Sequence, residues 1–176
     1  SPRIIDQIEK ITGTKPDFFN FDLCEAKSTQ DFIEQHPNIE GVIHFAAFKS
    51  VGESVREPLK YYKNNFYSLI NLLESFSARR TNMVFSSSCT VYGEPDHLPV
   101  NEQAPVKRAE SPYGNTKQIS EEILSETAGV NPDLKVIALR YFNPVGAHSS
   151  ALIGELPIGV PQNLVPFITQ AAIGKR

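Results

Sequence analysis

The chain has 176 residues, 40% of them apolar, enough for one globular domain with a real core. A net charge of −3 leaves no basic excess for nucleic acid, and no block of like charges makes an arm or a tail. The two cysteines, Cys24 and Cys89, stand far apart and in no metal spacing, which argues against a disulfide framework or a zinc site and for a reduced, cytoplasmic setting. No apolar run approaches the roughly 18 residues of a membrane span, and no basic segment leads into an apolar one as in a secretory signal.

Ile5, Ile8 and Ile11 recur at helical spacing and predict a first helix closed by Gly13. Asp17 to Phe21 reads as a short aromatic strand, and a second helix is expected over Thr29 to Gln35 before Pro37 stops it. Val42 to Ala47 is a continuous apolar run, too short for an ordinary helix and typical of a strand buried on both faces. His44 inside it reads as a satisfied core histidine. Tyr62, Phe66, Leu69, Leu73 and Phe76 predict an amphipathic helix over 59–78, with those five side chains as its apolar stripe.

Asn82 to Ser88 gives the next strand. Pro95, Pro99, Pro105 and Pro112 then mark a long loop, of the kind that is often functional in a compact domain. A helix over 113–128 has Ile119, Ile123 and Leu124 inward, Glu121 and Glu122 on a charged outer face, and Gly129 as its stop. Leu134 to Phe142 is the last clear strand, and a final helical pattern runs from Asn163 to Gly174. No internal repeat or low-complexity tract interrupts this order. Strands alternating with helices at these distances imply βαβ units and a parallel, doubly wound Rossmann-type α/β sheet.

Two segments carry chemistry. Ser86-Ser87-Ser88 is polar where a buried strand should end, and Tyr113-Gly114-Asn115-Thr116-Lys117 places a tyrosine and a lysine four residues apart at a helix start. On a helix that spacing puts the phenol and the ammonium on one face, where the positive charge favours the phenolate. A phenol with a free pKa near ~10 then becomes a usable base near neutral pH. A serine hydroxyl, both donor and acceptor, can share the substrate proton. Ser88, Tyr113 and Lys117 together can take a proton from an alcohol. Alone, each segment has an ordinary reading, as a strand terminus or as surface residues at a helix start; the carboxyl end of a strand is where doubly wound folds place their ligands.

These residues, with Val42 to Val55, Tyr61-Tyr62-Lys63-Asn64-Asn65, Ser86 to Gly93, Arg140 to His148 and Gly159 to Pro166, resemble the extended short-chain dehydrogenase/reductase family from about residue 17 to the end. Within that family the likeness is to the 4-epimerases of UDP-glucose and UDP-galactose. The resemblance implies NAD as cofactor, with Tyr113 as base on the sugar 4-hydroxyl, Ser88 bonded to that hydroxyl, and Lys117 lowering the tyrosine pKa and holding the nicotinamide ribose. It further implies Asp22 and Leu23 beside the adenine, Phe45, Ala46, Ala47 and Lys49 lining the cofactor, Asn64 and Phe142 touching it again, and Asn143, Asn163 and Leu164 meeting the UDP-sugar. Phe45, Ala46 and Phe142 also read as core, Asn64 as a helix residue on a solvated face, and Asn143 as a turn before Pro144. The helices at 59–78 and 113–128 would pair across a homodimer, or else only cover the sheet.

Departures from the family pattern shape the expectation. Ala47 stands where glycine is frequent, and Cys89 where alanine is frequent. No Gly-rich strand-to-helix turn occurs, so the first βαβ unit with its phosphate-binding fingerprint is absent from this sequence. The chain opens on Ser1 rather than Met and ends on Gly174-Lys175-Arg176, so both ends are expected to be cut. Residues 1–145 then form an incomplete NAD-binding domain and 146–176 the beginning of a UDP-sugar-binding domain, and the isolated 176-residue stretch is expected to be inactive. Sugar-nucleotide dehydratases, decarboxylases and other epimerases of the same superfamily are the alternatives, together with a non-catalytic binding module. Dehydratases usually carry an Asp-Glu pair just after the strand-end serine or threonine; Cys89-Thr90 occupies those positions here.

Overall fold

The computed structural model describes residues 2–154, 161 and 163–175. Gly159, Val160 and Gln162, part of the last segment of the family resemblance, lie outside the described residues. Two compact units divide the chain: Phe21–Phe142, and a second made of Ser1–Asn20 with Asn143–Arg176.

The larger unit is a parallel α/β sheet of three strands in the order β1-β2-β3, with β1 Gly41–His44, β2 Thr81–Ser88 and β3 Leu134–Tyr141. The expected fold class is therefore what forms. β1 and β2 are joined through α3 (Val51–Arg56) and α4 (Pro58–Ser75), and β2 and β3 through α5 (Pro112–Val130). α2 (Ala26–Gln35) precedes β1. The core is shared by Leu69 of α4, Met83 and Phe85 of β2, Leu124 of α5 and Leu134 of β3, so α4 and α5 cover the same face of the sheet. Met83 and Phe85 alternate with Val84 along β2, as a pleated strand requires. On the opposite face Ile43, Val84 and Ile137 stand in one row of the register, and the outer two are exposed.

Four expectations need correction. Val42 to Ala47 is not a strand buried on both faces: β1 ends at His44, and Ile43 and Phe45 are 65% and 64% exposed. β1 is the last strand of the three-stranded ladder, and the helices shield only one of its faces. Asp17 to Phe21 forms no strand, since a strand needs a ladder partner and the sheet consists of β1, β2 and β3 alone. The inward face of α4 is Tyr61, Asn65, Ser68, Leu69 and Leu72; of the expected stripe Leu69 lies on it, half-buried Leu73 packs against the core and Phe76 is buried at the helix end, whereas Tyr62 and Phe66 are off it. Asn65 turns in because its amide is fully used there: Oδ1 accepts from the Phe48 N–H (2.9 Å), and Nδ2 donates to the Phe48 carbonyl (3.1 Å) and to Thr116 Oγ1 (3.0 Å). Tyr62 and Phe66 stack on each other at 5.7 Å, half-buried. Finally, α5 runs through Gly129 to Val130 and closes at Asn131, whose N–H donates to the Thr127 carbonyl.

In the smaller unit α1 (Pro2–Thr12) and α6 (Leu164–Ala172) are the helices among the described residues, both close to their expected positions. Lys15 bridges Asp6 and Glu9 of α1 at 3.2 and 3.3 Å, both exposed pairs that solvent screens and that contribute little to stability.

Candidate functional site

α5 begins where the long loop ends because Ser111 caps it, accepting from the Gly114 N–H (3.1 Å), and Pro112 occupies the first turn where its missing N–H is harmless. This start fixes Tyr113 one residue inside the helix, with Lys117 and Glu121 following on the same face at successive four-residue steps. The helix comes very close to the 3-10 turn Cys89–Tyr92 that follows β2. A Cβ at Gly114 would lie 3.3 Å from the side chains of Ala109 and Thr90, tighter than normal packing. Gly93, at φ +60°, ends that turn where a Cβ would meet the Arg108 carbonyl oxygen at 2.6 Å, so only glycine fits. Gln118 ties the same pieces together, donating to the Val91 carbonyl (2.8 Å) and to the Lys107 carbonyl.

Ser88 is buried at the carboxyl end of β2, and its Oγ accepts from the Thr90 N–H (3.3 Å) as the cap of the 3-10 turn. Tyr113 is half-buried. Burial pushes its phenol up from the ordinary value, the Ser88 hydroxyl acts as a hydrogen-bond partner that pulls it down, and the neighbouring Cys89 adds a smaller upward push. Lys117 is 5% exposed, and its Nζ donates to the Ser86 carbonyl (2.7 Å) while lying 4.7 Å from the centroid of the Phe85 ring. Burial alone lowers it from 10.5 to about 8. The influence that lowers the Tyr113 pKa thus comes from Ser88, and the lysine ammonium is directed at β2.

His44, 4% exposed, is held neutral, with a pKa lowered to about 4, first by burial and second by the charge of Lys117. It stacks on Phe85 at 6.0 Å, the same ring that the lysine meets. It is a core histidine in contact with the site through Phe85 and through electrostatics.

The remaining candidates fall in separate places. Leu23, Phe45 and Ala46 share an open apolar cleft of about 440 Å³ at the carboxyl end of β1, walled also by Phe21, Val42 and Ile43. Asp22 is exposed and its carboxylate accepts from the Cys24 N–H (2.8 Å), making a turn that presents Leu23. Ala47 is half-buried and Lys49 exposed on the loop that Asn65 pins to α4 and α5. Asn64 is half-buried, donating to Asn65 Oδ1 (3.0 Å) and accepting from the Cys24 thiol (3.4 Å at its carbonyl), so it is a linker within the fold as well as a candidate contact. Phe142, 59% exposed, lines a second groove with Tyr92, Arg140 and Tyr141. Asn143, Asn163 and Leu164 belong to the smaller unit, where all three are exposed. Only Ser88, Tyr113 and Lys117 are brought into one corner.

Sequence reasoning missed two supports of that corner. Asn65 could have been found, because it lies four residues from both Tyr61 and Leu69 and so interrupts an apolar stripe with a group that must be satisfied. The second is Glu121, read from the sequence as outer-face charge. Its carboxylate instead receives Arg140 through Nε (3.0 and 3.2 Å) and Nη2 (2.7 Å), and the Ser87 hydroxyl as well.

A parallel α/β sheet with serine at the end of its middle strand, and tyrosine and lysine one helical turn apart on the following helix, defines the short-chain dehydrogenase/reductase class. The chain belongs to the NAD dependent epimerase/dehydratase family, whose profile matches residues 4–164. It is 48% identical over 176 residues to a UDP-glucose 4-epimerase of Yersinia enterocolitica, covering 99% of this chain and 52% of that protein. A UDP-glucose 4-epimerase of Drosophila melanogaster is 46% identical, with 99% of this chain and 50% of the relative covered. Among solved structures, a UDP-glucose 4-epimerase of Bifidobacterium longum in complex with NAD+ and UDP matches with TM-score 0.94 and 41% identity, over 100% of this chain and 52% of the other. The chain therefore spans about half the length of the curated relatives it matches.

Proposed function

We propose that this chain supplies the catalytic corner of an enzyme that interconverts UDP-galactose and UDP-glucose through transient oxidation at sugar C4. The observation that carries the reading is the buried end of β2, where Ser88 acts on the Tyr113 phenol and Lys117 lies one turn further along the same helix face. Tyr113 takes the proton of the sugar 4-hydroxyl while Ser88 holds the oxygen, and on the return step the same pair gives the proton back. Tyr113 accepts this proton as its phenolate; burial disfavours that form and the Ser88 hydroxyl favours it. Cys89-Thr90 offers no carboxylate beside this corner to eliminate water, which favours epimerisation over dehydration.

The residues present suit a dinucleotide. The apolar cleft at the end of β1 offers Leu23 and Phe45 to flat rings, and exposed Lys49 offers charge to a pyrophosphate. The Lys117 ammonium has three donors, of which Ser86 takes one, leaving the others for ribose hydroxyls. Asp22, Ala46, Ala47, Asn64 and Phe142 complete the proposed NAD contacts, and Asn143, Asn163 and Leu164 those of the UDP-sugar. When bound, NAD would supply the hydride chemistry at C4. Residues 1–145 then serve the cofactor and 146–176 begin the UDP-sugar part; a cytoplasmic homodimer, with α4 and α5 at its interface, completes the proposal. Among the described residues no helix is long and apolar enough to cross a membrane.

The test is conversion of UDP-galactose to UDP-glucose by the full-length protein, with Tyr113→Phe alongside. The expected result is turnover by the parent and a loss of about 10²–10⁴-fold in the variant. No conversion by the parent, or equal rates, would sink the reading.

A further inference from the structure

The three serines at the end of β2 pose a register problem. Phe85 is the last core side chain of the strand, and beyond it Ser86, Ser87 and Ser88 carry no apolar anchor to fix where each hydroxyl points. The structure solves this with contacts from α5 and β3. At successive steps of one face of α5, Tyr113 comes under the influence of the Ser88 hydroxyl, Lys117 donates to the Ser86 carbonyl, and Glu121 accepts from the Ser87 hydroxyl. Glu121 is itself gripped by Arg140, the register partner of Ser87 on β3, through both oxygens. Arg140 is in turn stacked over the buried Tyr92 ring at 4.8 Å, in the turn that follows Ser88. The Arg140 and Glu121 side chains keep only 23% and 16% of their exposure, so the pair is held by geometry and not loosely tethered in solvent.

We propose that Ser87, Glu121 and Arg140 form a positioning clamp that holds the last two residues of β2 against α5 and so sets the Ser88 hydroxyl on the Tyr113 phenol. Glu121 and Arg140 touch no reacting atom in this arrangement; they are positioning residues, and the inference rests on the proposed catalytic reading of Ser88 and Tyr113. The clamp acts through one contact. If the end of β2 loosens, Ser88 withdraws its hydrogen-bonding influence from Tyr113, and the phenol, still buried, becomes harder to ionise. Cys89, the other ionisable group that acts on it, is unchanged by the substitution.

The test uses the full-length protein labelled at the tyrosine Cζ, with the Tyr113 resonance assigned by Tyr113→Phe and its titration followed by NMR in Glu121→Ala and Glu121→Gln. The alanine variant removes the clamp; the glutamine variant keeps an acceptor for Ser87 and rescues in part if the alanine variant folds poorly. The expected result is a rise of the Tyr113 midpoint by about half a unit or more in Glu121→Ala, a smaller rise in Glu121→Gln, and Tyr61, Tyr62 and Tyr67, which lie away from Arg140, unmoved. A Tyr113 midpoint equal to the parent's in both folded variants overturns the clamp. So does a common movement of all tyrosines, which would mark general loosening. Because this readout needs no substrate, it separates failure of the clamp from failure of the epimerase reading. With UDP-galactose, kcat should fall about 10-fold or more in Glu121→Ala while KM stays within about 3-fold, since misplacement near the chemistry acts on the reacting geometry and not on sugar binding. Parallel loss of kcat and affinity would contradict the clamp as well.

Discussion

The corner between β2 and α5 and the cleft at the end of β1 lie in the same unit and are built in opposite ways. At the corner, Ser87, Ser88, Thr116 and Lys117 are buried and polar, and side-chain and backbone partners hold them. At the cleft, Ile43 and Phe45 are large, apolar and mostly exposed. The corner carries its own supports, so its chemistry is set before anything binds. The cleft offers surface whose burial would be favourable at about 25 cal/mol per Å² of apolar area covered. The proposed oxidation and re-reduction of one carbon would use both: fixed proton-transfer groups, and a surface on which flat rings can settle.

After Tyr113→Phe, the largest effect expected at the corner comes from Lys117→Met. Turnover of UDP-galactose should fall about 10²-fold or more, because the buried cation that orients the end of β2 is lost. Stability should move the other way. Burial lowers Lys117 from 10.5 to about 8, so below about pH 8 the native state carries a penalised charge, and between about 8 and 10.5 the unfolded chain binds the extra proton. Stability contributed by this group therefore rises with pH across that window. In cofactor-free protein, urea unfolding near pH 7 should show Lys117→Met more stable than the parent by up to about 3 kcal/mol, with the gap closing toward pH 10.5. A constant gap would mean that the lysine is not penalised by burial, and the contrast between a dry corner and an open cleft would weaken.

His44 stands between the two regions, and its effect should be smaller and acid-side. Its pKa is lowered from 6.5 to about 4, so between those values the unfolded state binds a proton that the native state refuses, and stability is lost as pH falls through the window. Unfolding midpoints measured from pH 7 to 4.5 should drop more steeply for the parent than for His44→Gln, by about 1–2 kcal/mol at the acid end. Because the Lys117 charge is the second cause of the shift, the steepness should lessen in Lys117→Met. An identical slope in that background would show that burial alone governs His44.

How much of this was legible in the sequence follows from the same contrast. The corner was readable because its chemistry needs specific residue types at helical and strand-end spacings: Ser88, Tyr113 and Lys117 announce themselves by position. β2, β3, α5 and the parallel sheet were readable because their apolar periodicities are strong. β1 was misread because an apolar run looks the same whether helices cover one face of a strand or both. The carboxyl half of the α4 stripe, Leu69, Leu73 and Phe76, was readable, but its amino half was misplaced because polar side chains, Asn65 and Ser68, occupy the buried face, and hydropathy alone assigns such groups to water. Glu121 was taken as solvated charge for the same reason: its partner Arg140 lies 19 positions away along the chain, and only the fold brings the two together.

The measurement that bears most directly on the proposed chemistry follows the hydrogen at C4. UDP-galactose carrying deuterium at C4 is converted by the full-length protein in ordinary water, and the UDP-glucose formed is examined by mass spectrometry. If Ser88 and Tyr113 handle only the hydroxyl proton while the C4 hydrogen leaves and returns as hydride, the deuterium stays at C4 in the product. Loss of the label to solvent would mean that a base removes the C4 hydrogen as a proton, and would contradict the assignment of this corner to alcohol oxidation.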